Sequence, residues 1–254
     1  MTQVAAIALN TFRETVRDRV LTVIALFALL MIVAGLWLGS ISLEQGGRMM
    51  KDFGLVAVTA FGVIIAAFIA ATLVRKEVEK RTVFVLFSKP VSRGGFVVGK
   101  FLGLAATLGV VVGGMGLFLF LMTLAVGGGA SGMVLVATAL IYLQVLTVVA
   151  VVVFFSTITS AILSSMLGLG VFVAGQLSHN VLSLSRIGAG AVTEAASWVV
   201  FVLIPNFSAV DVKAAAVGEQ TVDWGAVALW GVYLVAYMTV ALIGAAFVMR
   251  RKEF

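Results

Sequence analysis

Long apolar runs alternate with short polar breaks along the whole chain. The runs fall at about residues 20–40, 53–74, 96–126, 133–155, 161–182 and 224–249. Roughly 20 apolar residues suffice to cross a bilayer, so the pattern predicts six transmembrane helices. The third run is long enough to tilt or to project beyond the bilayer. The breaks differ in kind. Glu44-Gln45-Gly46-Gly47-Arg48, followed by Lys51-Asp52, reads as a polar loop. Gly127 to Gly132 reads as a flexible turn, and Ser156-Thr157-Ile158-Thr159-Ser160 as a tight, uncharged one. Between Arg75 and Arg93 lies an island of charge, which must sit in water between two segments that cannot.

Two further stretches read as surface elements. In residues 1–19, Val4, Ala8, Phe12, Val16 and Val20 recur every fourth position, with Ile7 beside them. Asn10, Arg13, Glu14, Arg17 and Asp18 fall on the other face. This predicts an amphipathic interfacial helix. A signal peptide fits less well, because Glu14 and Asp18 do not suit its basic start and no small-residue cleavage site follows. Ser183–Asp223 reads as an external segment. It carries a weakly amphipathic helix over Ala189–Ile204 (a short seventh span around Val192–Ile204 is the alternative), a break at Pro205-Asn206-Phe207-Ser208, and an aqueous surface marked by Asp211, Lys213, Glu219 and Asp223.

Composition sharpens the class. Of 254 residues, 62% are hydrophobic and 11% charged, against about 25% charged in soluble domains. The mean hydropathy is +1.21. The fold class expected is therefore an all-α polytopic membrane protein. There is no cysteine, so thiol chemistry is excluded. The basic balance reports topology rather than nucleic acid. With six spans, both termini share a side with the charged island. That side holds 13 of the 17 Lys/Arg and five of the 11 acids, a formal +8, and the opposite side carries −2. The expectation is N-in, C-in, in the plasma (inner) membrane.

The island is more than a spacer. Arg75 to Phe87 contains no Gly or Pro and should continue the preceding helix. Pro90 disfavours helix at Lys89, and Gly94-Gly95 lets the chain turn into the next span. Val83, Phe84, Leu86 and Phe87 give the segment an apolar edge beside its acids and bases. A solvated basic loop is the plain reading, and a docking surface for a cytosolic partner is the sharper one. Gly94 to Lys100 matches the first seven positions of a phosphate-binding loop. Phe101 stands where the Ser or Thr ligand to magnesium would be, so a nucleotide site is not expected here. Lys100 is expected to snorkel to the interface.

The spans offer little chemistry. Ionisable residues inside them would mark an ion path, and none is expected there. The candidate translocation surface comprises Thr59, Phe61, Gln144, Thr147 and Gln176, with Ser164 and Ser165. Hydrogen bonding between helices explains these polar residues equally well. Gly99/Gly103 and Gly109/Gly113 are small-residue pairs suited to close helix packing, within or between subunits. His179 lacks co-ligands at metal spacing, so no metal is expected.

Arg75-Lys76-Glu77-Val78-Glu79-Lys80-Arg81-Thr82, then Leu86 to Arg93 and Gly99-Lys100-Phe101-Leu102-Gly103, resemble the cytoplasmic coupling segment of ABC-2-type permeases, the membrane subunits of type V ABC exporters. Phe12 to Arg19 resembles the family's interfacial elbow helix. Leu203 to Lys213 and Arg250 to Phe254 also resemble its members. The resemblance implies a six-helix half-transporter that pairs with a second copy or a similar subunit. Each would seat a cytosolic ABC ATPase on its coupling helix, two copies in all, and ATP and magnesium would bind in that partner. This chain itself would hold no cofactor and be no enzyme. Glu77 and Glu79 would face the ATPase, flanked by Lys80, Arg81, Thr82, Phe84 and Phe87. Lys89, Pro90, Arg93 and Lys100 would anchor the segment.

The function expected on this basis is ATP-driven export of an amphipathic or lipid-linked substrate. A non-exporting mechanotransmitter acting on a periplasmic protein is the alternative within the family. A membrane scaffold or an intramembrane enzyme is the alternative outside it, and the spans show no catalytic constellation for the latter.

Overall fold

The computed structural model describes residues 3–16, 21–41, 46–79, 93–125, 132–185, 204–218 and 221–251. These residues are helical nearly throughout and contain no strand. The helices are α1 (Gln3–Thr15), α2 (Leu21–Ile41), α3 (Gly46–Glu79), α4 (Arg93–Ala125), α5 (Met133–Ser156), α6 (Ala161–Ser185), the short α7 (Lys213–Val217) and α8 (Trp224–Arg251). A 3-10 turn covers Ser208–Val210.

Five of them are long and apolar enough to cross a membrane: Gly46–Thr72, Gly94–Ala125, Met133–Ser156, Ala161–Ser178 and Trp224–Met249. In α2, 21 residues long, the described apolar stretch is Thr22–Gly35. The chain is thus a multi-pass membrane protein.

The bundle is built around α5. This helix is apolar on all sides, and 67% of its spanning window is buried, against 22% for α8 at the periphery. Its run Val148 to Val153 is wholly buried. Five valines in six residues would weaken a helix in water, because β-branched side chains lose rotamer freedom. Within hydrocarbon the backbone has no other way to satisfy its hydrogen bonds, so the run stays helical. Helices α3, α4, α6 and α8 pack around α5, and α2 packs against α3 and α4. Phe27 of α2 is fully buried and meets Phe61 of α3 and Phe118 of α4 edge-on, at 6.1 and 6.4 Å. That arrangement suits aromatic rings, whose positive edges seek negative faces.

Facing residues give the directions. Gly62 of α3 faces Val145 of α5, and Gly231 and Gly244 of α8 face Leu143 and Phe154. Helices α5 and α8 are therefore parallel, and α3, whose Gly54 and Gly62 face Leu119 and Val112 of α4, runs antiparallel to α4. Gly116 and Gly109 of α4 face Thr138 and Tyr142, so α4 runs antiparallel to α5. Helix α6 returns after a tight turn at Thr157–Ser160, closed by Thr157 Oγ1 donating to the Phe154 carbonyl (2.6 Å) and Thr159 Oγ1 to that of Phe155 (2.9 Å). The result is a bundle with two distinct ends. The lower end carries α1, the last turns of α3 and α8, and the 157–160 turn. The upper end carries Ile204–Gly218.

Helix α1 does not merely lie alongside. It packs on the first turns of α4 through Val4, Ile7, Ala8 and Thr11, a row rotated from the predicted Val4-Ala8-Phe12 line. Thr11 is fully buried, while Asn10, Arg13 and Glu14 are exposed. The seat is the Gly99/Gly103 pair. A Cβ on Gly103 would stand 2.6 Å from the Ala8 carbonyl oxygen and 2.6 Å from Thr11 Cβ, and one on Gly99 would lie 3.0 Å from Ile7 Cβ. Gly109 instead abuts Tyr142, whose hydroxyl donates to the Ala105 carbonyl (2.7 Å). Gly113 has nothing of the described chain within 4 Å.

Three local expectations change. Gly46 to Asp52 is not a loop but the first turns of α3, and Lys51 is largely buried there. A helix that continues past the apolar boundary keeps its backbone bonded where water is scarce. Gly94 and Gly95 do not form a turn either, since α4 starts at Arg93 and holds Gly94 to Lys100 in its first two turns. Lys100 does not reach outward. It is 4% exposed, with its amine 5.9 Å from the centre of the Phe96 ring, a cation–π distance.

The α1 seat can be tested by size. Gly103→Val should displace α1, cost about 1–3 kcal/mol and speed proteolysis at the N-terminus. Gly113→Val should change stability by less than about 0.5 kcal/mol. Thermal unfolding in detergent with limited proteolysis reads both, and equal effects at the two sites would refute the seat.

Candidate functional site

The upper end holds the least regular backbone in the described chain. From Ile204 to Val212 the chain is mostly not α-helical, yet it reaches deep between α5 and α6. Its depth is set by Gln144, the middle residue of the 24-residue α5, whose Nε2 donates to the Phe207 carbonyl (3.2 Å). Non-helical backbone at such depth is tolerated only where protein satisfies it.

Most of that satisfaction is visible. The Phe207 N–H donates to the Gly175 carbonyl of α6 (3.2 Å). The Val210 and Asp211 N–H groups close the 3-10 turn onto the carbonyls of Phe207 and Ser208. Asn206 Oδ1 accepts from the Ser208 hydroxyl (2.7 Å) and the Ala209 N–H (3.3 Å). The Ser178 hydroxyl lies 2.9 Å from Asn206 Oδ1 and 2.8 Å from the Gly175 carbonyl, so one proton serves either acceptor.

Packing fixes the same segment. The Phe207 side chain is fully buried and lies against Phe172 of α6 (5.4 Å between centroids). The notch it fills exists because residue 175 is glycine. A Cβ there would sit 2.5 Å from the Phe207 ring and run into the Pro205 carbonyl.

Above this plug sits an ion pair. Lys213 Nζ lies 2.8 Å from Asp211 Oδ2, and both side chains are mostly covered (14% and 25% exposed). The Lys213 N–H donates to Asp211 Oδ1 (3.0 Å), and Gln176 Nε2 donates to Oδ2 (3.3 Å). The aqueous surface expected at these residues is thus a partly buried, hydrogen-bonded pair. Between it and α3 opens a cleft of about 380 Å³, lined by Asp52, Val56, Asp211, Lys213, Ala214 and Val217. Gln144 and Gln176 each retain a buried Oε1 with no hydrogen-bond partner among the described residues.

The predicted site residues divide into two groups. Glu77 and Glu79 lie in the last turns of α3, and Arg93 opens α4. Lys80, Arg81, Thr82, Phe84, Phe87, Lys89 and Pro90 lie outside the described residues, as does the helix expected up to Ile204 for nearly all its length. Of the candidate translocation residues, Gln144 and Gln176 converge on the plug. Thr59 and Thr147 are buried and donate to carbonyls of their own helices, Leu55 (2.7 Å) and Leu143 (3.0 Å). Ser164 and Ser165 do the same onto Ala161 and Ile162. Phe61 is half-buried against Phe27. The sequence reading missed Asn206, Phe207, Ser178 and Gly175 as one assembly. The available signal was two glutamines in neighbouring apolar runs together with a Pro-Asn break.

The family described as ABC-2 family transporter protein matches residues 5–247, nearly the whole chain. No curated protein matches it.

Gln144→Leu should remove one of the two hydrogen bonds to the Phe207 carbonyl, leaving that from the Val210 N–H, and loosen the plug by about 0.5–1.5 kcal/mol. The chain lacks cysteine, so Ala209→Cys supplies a single label. Its reaction with a membrane-impermeant maleimide should speed up in the Gln144→Leu background, and an unchanged rate would refute the anchoring role. Gly175→Ala should act in the same direction by steric displacement.

Proposed function

Because the chain belongs to the ABC-2 transporter family, we propose that it is the permease subunit of an ATP-driven exporter, working with a separate ATPase bound at its lower end. The match over residues 5–247 carries this reading. In this reading α2 is the sixth span. Both termini and residues 75–93 face the cytoplasm, and the plug faces outward. The +8 formal charge of the lower side favours this orientation over its inverse.

The packing supports a coupling path. Helix α3 runs unbroken from Gly46 to Glu79, so a push at its last turns reaches the cleft at Asp52 without a hinge. Helix α1 is wedged on α4 at Gly99 and Gly103, just past the coupling segment. Glu77 and Glu79, with the basic residues after them, supply charge for an ATPase surface. ATP and magnesium belong to that partner. Motion at the lower end would loosen the plug between α5 and α6 and open the upper end. The substrate in this reading is amphipathic or lipid-linked.

The test is a pull-down from native membranes in mild detergent. Wild type should bring down an ATPase, and Glu77→Ala/Glu79→Ala, inserted normally, should lose it. Recovery of a periplasmic protein with no transport by reconstituted vesicles would favour mechanotransmission instead. Recovery of no ATPase under any mild condition would overturn both.

A further inference from the structure

We propose that α1 is a releasable clamp on the first turns of α4, and that the buried Thr11 hydroxyl sets how readily it lets go. This concerns the chain alone and stands apart from the export reading.

The starting observation is an orphaned hydroxyl. Thr11 is fully buried, and its Oγ1 has no hydrogen-bond partner among the described residues. A helical threonine can donate to a carbonyl of the preceding turn. Every other threonine described beyond the first turn of a helix does so, including Thr15 onto the Thr11 carbonyl (2.8 Å) and Thr107 onto that of Gly103 (3.0 Å). Thr11 departs from this pattern where α1 comes closest to α4. Its Cβ and methyl would stand 2.6 and 2.9 Å from a Cβ on Gly103.

The rest of the seat holds by weak forces. No N–H or O–H bond joins α1 to α4 among the described residues. The Val4 and Ala8 carbonyls instead face Gly99 and Gly103, 3.2 and 2.6 Å from where a Cβ would be. That is the arrangement of Cα–H···O contacts, which are second-order in strength. Dispersion between the fitted surfaces supplies the remainder.

Release therefore costs little. Asn10, Arg13 and Glu14 are exposed already. Val4, Ile7 and Ala8 can be buried in the bilayer interface as well as against α4, as in any amphipathic interfacial helix. Against that near-balance the hydroxyl counts. Seated, it is unsatisfied, and released, it meets water. Such a penalty corresponds to about 5- to 150-fold in an equilibrium constant. Valine has nearly the same shape and no hydroxyl, so it would hold the clamp shut. The clamp sits on α4 directly after residues 75–93, and its release frees the base of α4.

The chain lacks cysteine, so Ile7→Cys, at a side chain that faces Gly99, puts a single thiol inside the seat. The purified full chain is labelled in phosphatidylcholine nanodiscs with a water-soluble maleimide, and every comparison is made in the Ile7→Cys background. The folded chain should react slowly, at a rate proportional to maleimide. Thr11→Val should slow the reaction by about fivefold or more. Thr15→Val, whose hydroxyl already has a partner, should leave it unchanged or speed it. Gly103→Ala should speed it by pushing α1 away.

Unchanged or faster labelling in Thr11→Val would overturn the proposal in favour of a hydroxyl satisfied by its own helix or by water. Equal slowing in Thr15→Val would overturn it in favour of a general effect of valine. No reaction of the folded chain, while the unfolded chain reacts fully, would show α1 to be fixed. No effect of Gly103→Ala would show that release does not pass through this contact. No ATPase enters the assay, so the membrane pull-down decides the export reading separately.

Discussion

Inside hydrocarbon no water is present to satisfy a backbone N–H or C=O, and this constraint shapes the whole molecule. It keeps the valine-rich middle of α5 helical against its local preference. It also makes the re-entrant segment costly. That segment can leave the helical pattern at mid-depth only because α5 and α6 supply a donor at Gln144 and an acceptor at Gly175. The polar residues of the bundle are mostly backbone partners, their own helix's or the plug's.

Close approach is the second theme, and glycine supplies it at both ends. At the lower end Gly99 and Gly103 let α1 sit on α4 with backbone nearly touching backbone. At the upper end Gly175 admits the Phe207 ring and the Pro205 carbonyl. In each case the absent side chain is the contact, and dispersion over well-fitted surfaces replaces the hydrophobic drive that lipid does not provide. Helix α3 joins the two ends as a single rod.

Much of this architecture is legible in the sequence, because apolar runs of bilayer length can do little else than cross. The uncharged turn after α5 is legible too, since Ser and Thr close such turns by bonding to the preceding carbonyls. What is not legible is partner choice. Gly99 and Gly103 announce a close contact without naming α1. Pro205-Asn206 announces a break, but a chain that leaves the membrane and one that dips back into it break alike. Gln144 and Gln176 stand out in apolar runs, yet only the fold shows that both address one segment. Charge misleads at Lys51 and Lys100, which look like loop or interface residues and are buried in helix ends. Their long apolar stems can be covered while the amine finds a local partner or the edge of the bundle.

The plug also fixes an order of events during synthesis. Gln144, Gly175 and Ser178 all precede Asn206 and Phe207 in the chain, so the ribosome delivers both helical walls before the segment that sits between them. The segment is too short and too polar to enter the bilayer alone. It is held by helices that precede it in the chain, so it can seat only after they are in place. Helix α8 emerges last and packs against the same 3-10 turn. Assembly of the bundle therefore includes a seating step as well as insertions. A newly made chain with all its helices in the membrane has yet to draw Phe207 into the notch at Gly175.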